Sequence, residues 1–332
     1  MSDSENILEV RGLITEFEVD GRWLRAVDGV SFNVPKGKTV GIVGESGCGK
    51  SVTCMSVIDL LPKPMGQIKG GEIVFKGRDL RAVDHDEFYS IRGGQIGTIF
   101  QEPMTALNPV HKVGRQLSEV LLLHRGLSKE AAWQESIDIL AKVGIPDPEQ
   151  RAHEYPHQLS GGMRQRVVIA IALACKPDLV IADEPTTALD VTVQSQILEL
   201  INDLQKEMGM SVIMITHDLG VIAETCDEVV VMYAGRVVER GSAVEIYKRP
   251  IHAYTRALLE SIPSLDSVHQ SLLPTIPGTV AAITDFVPGC RFCQRLDVSA
   301  AQLSERPAFV ECSPGHWVED CPKCNTKHAD LA

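Results

Sequence analysis

The sequence predicts an α/β protein built around a parallel β-sheet. Short strand-like stretches rich in apolar and β-branched residues, TVGIV at 39–43, DLVIADE at 178–184 and SVIMITH at 211–217, alternate with stretches whose apolar residues recur at helical spacing. This alternation is typical of strands joined by crossover helices, which place the strands side by side in parallel. A chain of 332 residues is long enough for one large core and a smaller appended unit.

The first hundred residues are predicted to contain most of the early strands. Residues 9–37 are strand-like and end in the turn PKGK, and the apolar run TVGIV follows at 39–43. A helix is predicted over 51–61, because the next residue is a proline. Further strands are predicted for GGEIVFKG at 70–77 and for IGTIFQ at 96–101.

The rest of the chain divides into a helical insertion, a return to α/β alternation and a tail. Helical periodicity dominates from about 103 to 160, and further helices are predicted over 161–174 and 191–208. From about residue 262 the chain becomes rich in Pro, Ser and Cys. We therefore predict a main domain over 1–262, carrying the helical subdomain, and a C-terminal extension over 263–332.

Composition and charge narrow the class of protein. The hydrophobic fraction of 44% and charged fraction of 23% are those of an ordinary soluble globular protein. The longest apolar stretch, Val167–Cys175, is about half the length of a membrane span, and no signal peptide is visible, so an intracellular chain without a span is expected. The net charge of -12 disfavours nucleic acid as a partner, because it repels a phosphate backbone.

A glycine-rich phosphate loop is the strongest chemical signal. GESGCGKS at 44–51 fits the pattern G-x-x-x-x-G-K-[ST] between a predicted strand and a predicted helix. In such a loop, backbone N–H groups surround phosphate oxygens, Lys50 supplies a cation and Ser51 offers a hydroxyl to Mg²⁺. The candidate nucleotide-binding residues here are Gly44, Glu45, Ser46, Gly47, Cys48, Gly49, Lys50, Ser51 and Val52. An ordinary glycine turn is the alternative.

A carboxylate pair ends a later apolar strand. In LVIADE, Asp183 is predicted to bind Mg²⁺, and Glu184, the next residue, is predicted to act on the attacking water. The alternative is an acidic pair that only caps the following turn. The phosphate loop favours the catalytic interpretation, since a bound nucleoside triphosphate with its Mg²⁺ requires such a carboxylate.

The ordered motifs resemble those of ATP-binding cassette (ABC) transporter ATPases. They are GESGCGKS, IFQEP, LSGGMRQR, VIADEPTTALD and MITHD, within about residues 9 to 260. The resemblance implies that Gln101 couples the nucleotide to the membrane subunits, binds Mg²⁺ and takes part in catalysis. It further implies that Ser160, Gly161 and Gly162 form the signature that faces the partner's ATP. It also implies that Asp190 lies in the loop at the dimer interface and that His217 is the switch histidine contacting the γ-phosphate.

The same resemblance refines the fold class and the adenine site. It implies a P-loop NTPase (RecA-like) core with an antiparallel β-subdomain, an inserted α-helical subdomain and a small Cys-rich C-terminal extension. The family's adenine-stacking aromatic best matches Phe17 in LITEFEVDG, with Trp23 as the competitor. A core or surface role for Phe17 remains an alternative.

Within this family, the chain is most similar to the ATPase subunits of dipeptide and oligopeptide importers. IFQEPMTALNP, MYAGRVVERG, HAYTRALLESIP and PGCRF carry this resemblance. It implies a peripheral protein at the cytoplasmic face of the cell (inner) membrane. The implied partners are two permease subunits, a second identical or related ATPase subunit and an extracytoplasmic solute-binding protein. The alternative is a soluble ABC ATPase that is not coupled to transport.

Cysteines crowd into the extension and predict a metal site there. Two C-x2-C pairs are present, with a further cysteine between them; the candidate ligands are Cys290, Cys293, Cys312, Cys321 and Cys324. Some members of the resembling group hold an iron–sulfur cluster in this region, but here Leu296 occupies the position of their second cysteine. Soft thiolates suit a 4Fe–4S cluster or Zn²⁺, and a docking tail without metal is the third alternative.

Overall fold

The computed structural model describes residues 5–187, 189–262, 275–296 and 304–325. The chain forms two compact units. The unit with the LSGGM motif, here the signature unit, comprises Met1–Ile7, Val34–Thr39 and Phe75–Ile215. The unit with the GESGCGKS loop, here the phosphate-loop unit, comprises Leu8–Asn33, Val40–Val74 and Thr216–Ala332.

The described elements follow one another in the order β1 (Asn6–Val19), β2 (Arg22–Pro35), β3 (Thr39–Val43), α1 (Lys50–Val57), β4 (Gly66–Phe75), β5 (Arg78–Asp79), α2 (His85–Ile91), β6 (Ile96–Ile99), α3 (Pro103–Ala106), α4 (Val113–Arg125), α5 (Lys129–Lys142), α6 (Pro148–Ala152), a 3-10 turn (Pro156–Gln158), α7 (Gly161–Leu173), β7 (Leu179–Asp183), α8 (Val191–Met208), β8 (Ser211–Thr216), α9 (Leu219–Thr225), β9 (Glu228–Tyr233), β10 (Arg236–Ser242), α10 (Ala243–Lys248), α11 (Ala253–Glu260), a 3-10 turn (Ile283–Asp285), α12 (Arg291–Arg295), β11 (Phe309–Ser313) and β12 (His316–Glu319).

The phosphate-loop unit contains two groups of paired strands. β3 pairs in parallel with β9, and β9, β10, β12 and β11 continue the sheet in antiparallel order. β2, β1 and β4 lie side by side in the second group. Both residues of the turn between β1 and β2, Asp20 and Gly21, have positive φ, as a type I′ hairpin turn requires. The strands of the extension thus belong to the same sheet as the strand that leads into the phosphate loop.

The signature unit combines parallel strands with the helical insertion. β7 pairs in parallel with β6 on one side and with β8 on the other. In the described part of this unit, five helices, α2 to α6, precede the 3-10 turn, and α7 and α8 follow. Every residue of β8 is buried, which is typical of a parallel strand covered on both faces. The predicted parallel sheet is therefore confirmed.

The helix after the phosphate loop is shorter than the sequence predicted. α1 ends at Val57 rather than near Leu61. Asp59 adopts a left-handed φ of 47°, Leu60 N–H donates to Met55 O, and Asp59 N–H donates to Ser56 O. These are the two hydrogen bonds of a Schellman C-cap, so the local capping geometry ends the helix before the proline does.

Candidate functional site

Two glycines of the phosphate loop have no room for a side chain. Gly44 has a φ of 149°, and a Cβ there would lie 2.2 Å from Met232 O of β9. Gly49 has a φ of 99°, and its Cβ would lie 3.0 Å from Ala26 O. Glycine is therefore favoured at both positions by the backbone conformation and by the neighbouring carbonyl oxygens, so the loop packs directly against the backbone of β9 and β2.

The lysine of the phosphate loop donates hydrogen bonds to the backbone at the start of the same loop. Lys50 is 5% exposed, and its Nζ donates to Gly44 O at 2.7 Å and to Glu45 O at 3.1 Å. Burial raises the pKa of the Cys48 thiol, so Cys48 serves as a small apolar side chain inside the loop. The ammonium group is thus held beside the backbone that would surround a phosphate.

Glu45 has partners that come from far along the chain. Its backbone N–H donates to Tyr254 Oη at 2.8 Å, and its carboxylate accepts from Arg295 at 2.5 and 3.3 Å. Burial raises the pKa of Tyr254, which therefore remains a neutral phenol. Sequence reasoning did not identify either partner, because no motif spacing connects residue 45 with residues 254 and 295.

The carboxylate pair of the signature unit lies where β7 ends. Asp183 is the last residue of this strand, and Glu184 has a left-handed φ of 46°. The Glu184 carboxylate accepts from Gln101 Nε2 at 3.0 Å and from Thr187 Oγ1 at 2.9 Å. The structure thus brings together Gln101 and Glu184, two residues that the sequence predicted to be catalytic.

The signature residues begin α7. Ser160 caps this helix by accepting the N–H of Met163 at 3.3 Å. A Cβ on Gly162 would lie 3.0 Å from Val193 Cγ1 of α8. Asp190 caps α8 and accepts the N–H of Val193 at 3.0 Å. The signature and the segment containing Asp190 are therefore in direct contact within this unit.

Two other predicted residues belong to the phosphate-loop unit. His217 follows β8 and is exposed, and the next residue, Asp218, caps α9. Phe17 lies in β1, half-buried, with its Cε1 2.9 Å from where a Cβ of Gly66 would be. Trp23 is 42% exposed. The adenine role of Phe17 stays a prediction.

Four of the five tail cysteines converge. The sulfur atoms of Cys290, Cys293, Cys321 and Cys324 lie within 4.8 Å of one another, and all four residues are buried. Cys312 lies elsewhere: it is exposed on β11, and its thiol donates to His316 O at 3.1 Å. The structure therefore narrows the candidate metal ligands to four.

Buried polar contacts fasten the extension to the core of its unit. Asp28 of β2 accepts from Arg236 at 2.9 Å and from Arg291 at 2.8 Å. The fully buried carboxylate of Glu239 accepts the N–H of His252 at 2.9 Å and lies 2.8 Å from His316 Nε2. These residues were missed by sequence reasoning, because acidic residues in strands carry no local signal of a distant partner.

No helix in the described parts of the chain is both long enough and apolar enough to span a membrane.

Comparison with known proteins defines the class. Residues 27–187 match the ABC transporter family model. The chain is similar to the solved dimeric ATP-binding cassette MJ0796 in a post-hydrolysis state with ADP and Pi, with a TM-score of 0.63 and 28% identity, covering 71% of this chain and 98% of that one. It is also similar to CbiO1 of Clostridium perfringens, part of the CbiONQ ABC transporter complex, with a TM-score of 0.63 and 28% identity, covering 74% of this chain and 92% of CbiO1. The chain belongs to the ABC transporter family and is an ATPase, which confirms the predicted fold class and enzyme class.

The subgroup is also defined by similarity over almost the whole chain. Residues 238–301 match the C-terminal region of oligopeptide/dipeptide transporters. The chain is 50% identical to a probable peptide ABC transporter ATP-binding protein of Sinorhizobium fredii, covering 93% of each chain. It is 48% identical to the oligopeptide transport ATP-binding protein OppD of Bacillus subtilis, covering 97% of this chain and 92% of OppD. It is therefore an ATP-binding protein of the dipeptide/oligopeptide type, as its motifs predicted.

Proposed function

We propose that this chain hydrolyses ATP to drive the import of peptides through a membrane complex. The observation that carries the proposal is the Glu184 carboxylate, held by Gln101 and Thr187 at the end of β7. A carboxylate fixed by two donors just beyond a strand suits the orientation of an attacking water. The names of the relatives support peptides as the cargo.

Each predicted residue has a role in this proposal. The backbone of the phosphate loop and Lys50 bind the phosphates of ATP, and Ser51, Asp183 and Gln101 hold Mg²⁺. Glu184 orients water, and His217 contacts the γ-phosphate. Phe17 stacks on adenine. The buried Lys50 ammonium and the positive-φ glycines support the phosphate assignment.

We infer that ATP is shared between two subunits. The loop of one subunit binds the nucleotide, and Ser160, Gly161 and Gly162 of the other cover it, with Asp190 at the interface. The N-terminus of α7 offers backbone N–H groups and the positive end of a helix dipole for this purpose. Hydrolysis then releases the two subunits.

The partners and location follow from this role. Two permease subunits would carry the peptide across the membrane, and an extracytoplasmic solute-binding protein would deliver it. The chain would lie at the cytoplasmic face of the inner membrane. A soluble ABC ATPase without transport partners is not favoured, because the relatives are named as transport proteins. The convergent cysteines would bind a soft metal, for which iron–sulfur and zinc are the two chemistries.

Paired variants test the shared site. Glu184→Gln should bind ATP normally, lose about 100-fold or more of the hydrolysis rate and accumulate as an ATP-bound dimer, because binding is retained while water is no longer oriented. Gly162→Asp should also bind ATP but remain monomeric, because a carboxylate in the signature repels the phosphates. Size-exclusion chromatography with Mg-ATP and a phosphate-release assay measure both.

Normal turnover by Glu184→Gln would contradict its catalytic role. A stable ATP-bound dimer of Gly162→Asp would contradict the shared site. Lys50→Ala is the control that should lose nucleotide binding itself, since it removes the cation of the loop.

A further inference from the structure

The four convergent sulfur atoms are spaced for a single ion. Cys293 Sγ is 3.5 Å from both Cys321 Sγ and Cys324 Sγ, and Cys290 Sγ is 3.6 Å from Cys324 Sγ. Four sulfurs bound to one tetrahedral zinc ion at about 2.3 Å stand about 3.8 Å apart. The thiolates of a cubane bind four separate irons and stand about 6 Å apart. The observed spacing fits one ion and is too narrow for the cluster.

A buried imidazole lies beside these sulfurs. His252 is fully buried, and its Nδ1 accepts the N–H of Tyr254 at 3.1 Å, which places the ring proton on Nε2. Nε2 has no hydrogen-bond partner among the described residues, and the ring has a nitrogen within 4.8 Å of Cys290 Sγ. A metal-bound thiolate accepts such a proton well, so the orphaned donor fits a charged sulfur site.

We propose that Cys290, Cys293, Cys321 and Cys324 hold one zinc-class ion instead of an iron–sulfur cluster. On binding, four thiols lose their protons to solvent and four metal–sulfur bonds form. Because protein sulfur fills all four positions of the tetrahedron, the ion is structural. It joins the start of α12 to the chain beyond β12, within the part of the extension that the structure describes.

Metal analysis of anaerobically purified full-length protein tests this assignment. Cells are grown with both iron and zinc, and we expect one zinc per chain and a colourless protein. Replacement by Co²⁺ should give the visible bands of a tetrahedral tetrathiolate site, a readout independent of ATPase activity. Iron at one or more atoms per chain, or four freely titrating thiols without metal, would overturn the proposal.

Cysteine variants provide the matched comparison. Cys324→Ser should lose at least about 10-fold in zinc affinity, because one of the four thiolates is removed. Cys312→Ser should retain the metal, because Cys312 is exposed and bonded to His316 O. Loss of metal from Cys312→Ser with retention by Cys324→Ser would overturn the ligand set.

A separate contact connects the extension to the phosphate loop. Arg295, the last residue of α12, is 3% exposed at its side chain and donates to both oxygens of Glu45. Its guanidinium is also fixed by the backbone carbonyls of Ile276, Pro277 and Gly278. Glu45 is the second residue of the loop, so its charge would repel the phosphates of ATP if it were not neutralised.

The geometry points to Arg295 as a positioning residue that neutralises Glu45 and holds it away from the nucleotide. This inference rests on the proposed binding of ATP by the phosphate loop. Arg295→Gln should raise the Kd for Mg-ATP about fivefold, because a carboxylate near the phosphates loses its counter-charge. The double variant Glu45→Gln/Arg295→Gln should return to within about twofold of the parent protein, because no charge is then left unpaired.

Calorimetric titration of full-length protein with Mg-ATP measures these affinities, and metal content is checked in each variant. Arg11→Gln is the control, because Arg11 forms an exposed ion pair with Glu9 and Glu72 in the same unit and should not change the Kd. If Lys50→Ala loses binding but Arg295→Gln does not, the role of Arg295 is wrong. A double variant as weak as Arg295→Gln would also overturn it. Normal binding by Lys50→Ala would instead refute the nucleotide site.

Discussion

Single residues show how closely the phosphate loop is built against its surroundings. Gly44 has both a positive φ and a neighbouring carbonyl where a Cβ would be, whereas Gly47 has a φ of 80° with open space around it. The first glycine is thus required by packing and by backbone conformation, and the second by backbone conformation alone. The motif predicts glycine at both positions but does not distinguish the two reasons.

Gly44→Ala should lower the free energy of unfolding by about 3 kcal/mol, because its Cβ displaces the backbone of β9 as well as straining φ. Gly47→Ala should cost about 1 kcal/mol, the strain alone. Chemical denaturation without nucleotide measures both. Equal losses of stability in the two variants would contradict a packing role for Gly44, since they would show that Met232 O can move away from the added Cβ without loss of stability.

Glu184 also shows what a motif omits. Its position directly after Asp183 predicted two carboxylates with different roles. The hydrogen bond from Gln101 was not predictable, because Gln101 lies beyond the end of another strand, β6. The left-handed φ of 46° and the hydrogen bond from Thr187 are local, but the residue types of the motif do not announce them.

At the scale of elements, α12 joins the extension to three parts of the phosphate-loop unit. Arg291 reaches Asp28 of β2, Phe292 packs at 5.4 Å from the ring of Tyr233 on β9, and Arg295 reaches the phosphate loop. Cys290 and Cys293 supply two of the four convergent sulfur atoms. A helix of five residues is too short to be stable alone, so these contacts keep it in place.

Asp28→Asn should lower the free energy of unfolding by about 3 kcal/mol at pH 7, because it leaves Arg236 and Arg291 buried without their shared carboxylate. Burial opposes ionisation of Asp28, but the arginine charges outweigh it and hold the pKa of Asp28 below its usual range. Its stabilising contribution is therefore full above the unfolded pKa of about 4 and is lost as the pH falls through the lower folded pKa.

Denaturation at several pH values measures this difference. Glu72→Gln is the control, since Glu72 pairs with Arg11 on the surface and should change stability by less than about 1 kcal/mol. A difference between parent protein and Asp28→Asn that does not shrink in acid would contradict the role of the ionised carboxylate.

The boundaries of elements were predictable to different degrees. The bounds of β3 and α8 agree with the sequence pattern, because a short buried apolar run and a long amphipathic segment each carry a clear local signal. α1 was predicted too long, because it ends in a Schellman C-cap whose left-handed residue is Asp59. Glycine usually occupies this position, and without a glycine the sequence carries no signal that the helix ends here.

At the scale of the whole molecule, similarity to known proteins extends beyond the cassette. The relatives match 87% or more of the chain, and the C-terminal match begins at residue 238, within β10. β10 pairs with β12 of the extension, so the tail continues the sheet of the phosphate-loop unit. The predicted boundary near residue 262 stays a prediction, with residues 263–274 outside the described part of the chain.

The sequence by itself determined the chemistry of this protein: an ATPase of the ABC type, its phosphate loop, its strand-end carboxylates, its signature and a cysteine-rich tail. These features depend on residue type at fixed local spacing, and local spacing is what a sequence displays. Only the tertiary structure decided that four cysteines converge without Cys312, that their spacing suits one ion, and that Arg295 forms an ion pair with Glu45. Such contacts join residues up to 250 positions apart, where no periodicity or motif connects them.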